Sequence, residues 1–150
     1  MAKLIVDSSE SMRGVVAQHS WYTKIISFVE EILVSRKKID FTIIIVGDAA
    51  IKKLHSVYLK RPKVTDVLSF CYPAEGNEKR DQGELFISFP QTRRQAKKYK
   101  TSLSQEMARL VIHGALHVYG YDHKTPKERK AMFSLAKNIF DYAKRRGVVC

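Results

Sequence analysis

Hydrophobic residues along the chain fall into short runs that predict four β-strands. These runs are rich in β-branched and aromatic residues, as expected of strands that are buried on at least one face. The four predicted strands cover residues 3–8, 40–47, 67–72 and 84–89. The polar, glycine-containing segment 73–83 separates the last two strands and predicts a loop.

Apolar residues at helical spacing predict five helices between and after these strands. The predicted helices cover residues 20–38, 48–59, 91–100, 103–120 and 126–146. Asp48 can cap the second helix, Ser102 and Gln105 form a capping box, and residues 125–128 form another. The pattern therefore indicates an α+β fold, with a four-stranded mixed sheet packed against about five helices.

The composition is that of a globular protein, and we expect residues 1–150 to form a single domain. Hydrophobic residues make up 45% of the chain and charged residues 28%, both ordinary values for such a domain. No apolar run is long enough to span a bilayer, and the start lacks the apolar core of a signal peptide. The two cysteines, Cys71 and Cys150, form no disulfide framework. We expect a cytoplasmic protein with no membrane partner.

The charge balance adds an expected partner. The chain has 27 lysines and arginines against 15 aspartates and glutamates, a formal net charge of +12. Such an excess favours a polyanionic partner, most often a nucleic acid. The alternative is a basic surface without a specific partner.

Three of the five histidines lie in the segment HGALHVYGYDH, residues 113–123. His113 and His117 are four residues apart, which places both rings on one face of a helix. Such a pair alone could be two ordinary helical histidines. Gly120, however, lets the chain reverse, so that His123 can return to the same point. This is the ligand spacing of metzincin metalloproteases and predicts one metal ion, for which zinc suits three imidazoles best and other divalent ions are possible.

Gly114 stands where the zinc proteases have glutamate, the general base. Three protein ligands leave one position of a tetrahedral ion open, which predicts a catalytic site, yet the base of a peptidase is missing. Chemistry in which the metal lowers the pKa of water and neutralises oxyanion charge still works. RNA cleavage is of this kind, and the basic charge indicates the same substrate. Asp122 is interpreted as a turn residue or as a partner of a ligand.

Three motifs resemble those of the YbeY family, bacterial endoribonucleases and rRNA maturation factors. Residues 113–123 match its histidine signature with Val118 for the usual leucine, residues 65–70 read TDVLSF, and residues 83–88 read GELFIS. The resemblance implies a zinc-dependent, single-strand-specific endoribonuclease acting in 16S rRNA 3′-end maturation and ribosome quality control. It also implies a four-stranded sheet with helices around it, and a metal helix like that of the metzincins. The ribosome or its small subunit would be the partner, and His113, His117 and His123 would hold the metal.

The chain departs from the family pattern before the TDVLSF motif. The family usually has Asn-x-x-Tyr-Arg there, whereas this chain has His55 for the asparagine and Leu59 for the arginine. The family's arginine is held to matter for activity, and Arg61 is our candidate to replace it as a catalytic residue. Otherwise catalysis is weak, and the protein is a ribosome-associated RNA-binding factor with a largely structural metal. His55 itself is interpreted as a polar helix residue.

Basic residues in two segments are candidates for contacts with the RNA backbone. They are Lys60, Arg61, Arg93, Arg94, Lys97 and Lys98. The alternative is that these side chains form only a solvated helix face.

Four further residues carry interpretations. Asp66 could face the substrate or only cap a turn, and the sequence leaves both open. Tyr119 and Tyr121 could stack on a base or pack in the core, and Met132 is interpreted as core.

Overall fold

The computed structural model of the protein describes residues 2–7, 12–34, 37–59 and 66–150. In this part of the chain, four strands form one mixed sheet. They are β1 (Ala2–Asp7), β2 (Ile39–Val46), β3 (Val67–Tyr72) and β4 (Asp81–Ser88). Their order is β1-β2-β4-β3, with β1, β2 and β4 parallel and β3 antiparallel to β4. The predicted four-stranded mixed sheet is therefore confirmed.

Five α-helices surround the sheet in the described ranges, as predicted. They are α1 (His19–Leu33), α2 (Asp48–Leu59), α3 (Phe89–Tyr99), α4 (Leu103–Val118) and α5 (Pro126–Arg145). A 3-10 turn at Gly14–Ala17, which the pattern did not predict, precedes α1. The capping box of Ser102 and Gln105 forms at the start of α4 as expected, and Thr125 caps α5. None of the described helices is both long and apolar enough to cross a membrane.

Three predicted boundaries were wrong. The first helix ends at Leu33 rather than at residue 38, because Val34 adopts a left-handed conformation (φ 48°). β4 begins at Asp81 instead of residue 84, since its polar first residues pair with β2 from Ile39 onward. Phe89 is not the end of a strand but the buried first residue of α3, whose start Ser88 caps by accepting the N–H of Gln91.

The helices divide between the two faces of the sheet. The larger core joins α1, α4 and α5 to one face and includes Met132, which confirms that residue as core. A smaller core, around Ile51 and Leu54 of α2, covers part of the opposite face. The central helix α4 is buried on most sides, which explains why its sequence is apolar over nearly its whole circumference.

Gly114 brings α4 unusually close to the sheet. A Cβ built on Gly114 would lie 3.0 Å from Leu85 Cδ2, 3.1 Å from Ser69 Oγ and 3.2 Å from Val67 Cγ2. These atoms belong to β3 and β4, so residue 114 faces the sheet directly. Close packing of the Gly114 backbone on these strand side chains thus fixes the position of α4 at the residue that follows His113.

Candidate metal centre

Three histidines converge at the C-terminal end of α4. His113 and His117 project from neighbouring turns of the helix, and His123 follows it. One ring nitrogen from each lies within 4.8 Å of the other two. The ring centroids are 4.6 Å apart for His113 and His117, 5.1 Å for His117 and His123, and 5.7 Å for His113 and His123. The three side chains that the sequence spacing predicted to converge therefore do lie together.

A glycine turn returns His123 to the helix. Gly120 has a φ of 102°, a backbone conformation in which any residue with a side chain would be strained. Its N–H donates to the carbonyl of His117. The N–H of Tyr121 donates to the carbonyl of Leu116 at 3.0 Å, completing a Schellman motif. Asp122 then accepts the N–H of His123 at 2.7 Å. Asp122 is thus a turn residue, and it lies outside the histidine cluster.

The electrostatics of the helix histidines suit metal ligation. Burial, with a smaller effect from the neighbouring His117, lowers the pKa of His113 to about 4. Burial also lowers the pKa of His117. Nδ1 of His117 donates to the carbonyl of Tyr121 at 2.9 Å, which leaves its Nε2 unprotonated, 3.1 Å from Nε2 of His113. Both imidazoles are therefore neutral at pH 7, and this set of donors fits a divalent ion such as zinc.

A polar network that the sequence did not reveal lies beside His113. Glu106, only 2% exposed, accepts hydrogen bonds from Arg109 (Nη2, 2.5 Å) and from Gln95 (Nε2, 2.7 Å). A buried carboxylate needs such partners, since an unpaired charge would be costly to desolvate. The sequence did contain one indication of this network. Glu106 precedes His113 by seven residues and therefore lies on the same face of α4.

Asp66 joins this network from the start of β3. One of its oxygens accepts the N–H of Val67 at 2.7 Å, so it caps the strand. The other lies 3.8 Å from Arg109 Nη2 and 3.4 Å from Gln95 Nε2. Of the two interpretations that the sequence left open, the strand-capping contact is present, and the second oxygen also contributes to the network beside the histidine cluster.

The remaining candidates lie in different surroundings. The guanidinium of Arg94 pairs with Asp48 at 2.9 Å, which ties α3 to α2, whereas Lys97 and Lys98 are exposed. Arg93 lies over the ring of Phe89. Lys60 and Arg61 lie outside the described residues.

Other aromatic and histidine side chains near these helices have clear environments. Tyr119 packs against Phe41, while Tyr121 is 38% exposed. His55 is 8% exposed and takes no part in the histidine cluster, so it is a buried helix residue rather than a simple surface one.

The fold and the histidine cluster together define a class of protein. A helix packed on a four-stranded mixed sheet presents two histidines four residues apart, and a glycine turn brings back a third. This is an α+β protein with a metzincin-like metal site. The profile of the family Endoribonuclease YbeY matches residues 6–144. The chain therefore belongs to the endoribonuclease YbeY family.

Individual relatives agree with this assignment. An endoribonuclease YbeY of Bacillus velezensis is 30% identical over 91% of this chain and 92% of its own length. One from the Aster yellows witches'-broom phytoplasma is 40% identical over 71% of this chain and 74% of its own. The one from Myxococcus xanthus is 38% identical over 74% of this chain, which spans only 38% of that longer relative.

A solved structure supports the fold. The solution structure of a protein from Thermotoga maritima superposes with a TM-score of 0.62. The superposition covers 98% of this chain and 93% of the other, at 24% sequence identity. At this identity the likeness concerns the fold alone.

Proposed function

We propose that the chain is a metal-dependent endoribonuclease that cleaves single-stranded segments of rRNA. The observation that carries this proposal is the convergence of His113, His117 and His123 in a member of an endoribonuclease family. The finer proposal is one zinc ion, action at the 3′ end of 16S rRNA, a role in ribosome quality control, and the small ribosomal subunit as partner. The two free cysteines suit the cytoplasm, where that subunit is assembled. Residues 1–150 would act as one domain.

The three histidines are proposed to hold the ion. When bound, the ion would act as a Lewis acid that polarises the scissile phosphodiester. The carbonyl of Tyr121 fixes the ring of His117 by accepting its Nδ1–H. Position 114 provides no carboxylate, because glycine has no side chain, and a Cβ at this position would point at the sheet. The guanidinium that the family usually has at position 59 is proposed to come from Arg61, which would hold a phosphate.

Removing the metal tests the proposal directly. We expect purified protein to bind one zinc ion, and to cleave a labelled single-stranded RNA at low salt only while metal is present. A chelator should abolish cleavage, and adding zinc back should restore it. An equal amount of magnesium should not restore it, because imidazole ligands favour zinc whereas magnesium prefers oxygen ligands. The readout is product formation on a denaturing gel.

The same experiment distinguishes the second candidate, an RNA-binding factor with a structural metal. In that case the chelator would lower the melting temperature, while RNA would remain intact with and without zinc. Cleavage that is unaffected by the chelator would contradict both proposals.

The exposed lysines of α3 are proposed to contact the RNA backbone, together with Arg93, Arg94, Lys60 and Arg61. We expect Lys97→Gln combined with Lys98→Gln to weaken binding of single-stranded RNA equally for all sequences. The slope of log Kd against log salt should fall by about 1.4, or about 0.7 for each phosphate that is no longer neutralised by a lysine. Fluorescence anisotropy over a range of salt concentrations measures the slope.

The matched control removes the same charge from α2. Lys52 and Lys53 are also adjacent and exposed, and their change to glutamine should leave the slope unaltered. If both double variants lower the slope equally, the lysines of α3 act only through net charge, and the proposed contact is wrong.

A further inference from the structure

A groove of about 310 Å³ runs between α4 and α5 and reaches the metal centre. His113 lines one end of it, so the groove and the histidine cluster share a residue. The α4 side carries residues on one stripe of the helix, and the α5 side carries residues at the matching spacing of three and four. Anything bound in the groove would therefore lie beside an ion that the three histidines would hold.

The groove is mainly apolar. Its walls include Ile112 from α4, and Phe133, Ala136 and Phe140 from α5. Phe133 is 52% exposed, although its side chain borders this apolar groove. An exposed aromatic ring beside an apolar recess is a surface suited to stacking with a flat ligand.

Polar groups line the groove on the α4 side. The guanidinium of Arg109 is held by the buried carboxylate of Glu106 through its Nε and Nη2. Its Nη1 makes no hydrogen bond to any residue in the described ranges, and the side chain is 47% exposed. Arg109 precedes His113 by one helical turn, so it presents a cation between the groove and the metal centre.

We propose that this groove is a nucleobase-binding subsite for the RNA strand being cleaved. A base next to the scissile bond would enter the groove and stack on Phe133, with its edge towards Glu106 and Arg109. Its phosphate would lie at the mouth, where Arg109 and the histidines meet. This inference rests on the proposed function and adds to it a reason for single-strand specificity, because only an unpaired base can leave the stack to enter the groove.

The dimensions favour a base over a protein partner. A cavity of this size lies at the lower end of the range of small-molecule sites, and a planar heterocycle matches its mixture of apolar walls and a few fixed polar groups. A protein partner would require a contact area of about 800 Å² on each side, far more than one such recess provides.

The test compares two pentanucleotide-length strands, one carrying uracil bases and one wholly abasic, bound to the zinc-loaded protein. We expect the wild type to prefer the strand with bases. Phe133→Ala should weaken binding of that strand roughly 5- to 150-fold, the effect of losing one stacked base, and leave the abasic strand unaffected. Phe133→Trp should retain the preference. Fluorescence anisotropy under conditions of slow cleavage gives the Kd values, and circular dichroism verifies folding.

Tyr72→Ala is the matched control, since Tyr72 is 47% exposed and lies on β3, on the sheet face opposite to α4. It should bind both strands as the wild type does. If Phe133→Ala and the wild type show the same preference for bases, the subsite is overturned and the groove is left to a protein partner. Binding is measured separately from cleavage, so a wild type that binds bases through Phe133 without cutting RNA would overturn the proposed function alone.

Discussion

Replacing His113 with alanine is expected to abolish both stoichiometric zinc binding and RNA cleavage. Burial lowers the pKa of His113 to about 4, so its imidazole is neutral at pH 7 and can serve as a ligand. Its loss would leave two imidazoles, of which His123 is exposed. Mutation of a residue that merely orients a metal ligand lowers affinity about 10- to 100-fold, so losing a ligand should lower it at least 100-fold.

The measurement is zinc content after dialysis, with cleavage of single-stranded RNA run on the same samples. His19→Ala is the matched control, because His19 lies at the start of α1 and donates to the carbonyl of Ala2, outside the histidine cluster. It should retain one zinc ion and full cleavage. If His113→Ala holds zinc as tightly as the wild type does, the ligand assignment is wrong.

Changing Gly114 to glutamate is expected to destabilise the protein severely and to create no peptidase. In the zinc proteases a glutamate at this position acts as the general base. Here a Cβ would already meet Leu85, Ser69 and Val67 at 3.0 to 3.2 Å. Overpacking a core costs about 1–3 kcal/mol, and burying a carboxylate without a partner adds several more, so we expect a total above about 3 kcal/mol.

Thermal and urea unfolding would measure this loss. Gly114→Ala separates the cost of overpacking from the cost of burying a carboxylate. Because alanine favours the helix by about 1 kcal/mol over glycine, its net loss of folding stability should be below about 2 kcal/mol. Asn138→Glu adds the same charge at an exposed position of α5 and should change stability by less than about 0.5 kcal/mol. A Gly114→Glu protein with wild-type stability would contradict the packing that we describe, and one that cleaves casein would show that position 114 can reach the ion.

This glycine illustrates how a residue can be interpreted correctly in one respect and incompletely in another. The motif showed that position 114 lacks a base. The packing of α4 shows why a larger side chain would be strained there, since the helix lies directly against β3 and β4 at that point. The contact joins residues 114 and 69, which are distant in sequence, and no local pattern could indicate it.

The amino-acid pattern alone was sufficient for the features that depend on local geometry. Helical periodicity and capping residues located the helices, and runs of apolar residues located the strands. The three histidines could be placed together because they lie within eleven residues, where one helix face and one glycine turn decide their positions.

The surroundings of that cluster, in contrast, depend on tertiary contacts. The network of Asp66, Gln95, Glu106 and Arg109 draws on a strand and two helices, and the groove requires α5 to lie beside α4. The early start of β4 likewise follows from its register with β2, not from its own polar residues. Such contacts depend on how distant elements pack together, and this packing is set by the burial of the whole core rather than by any short segment.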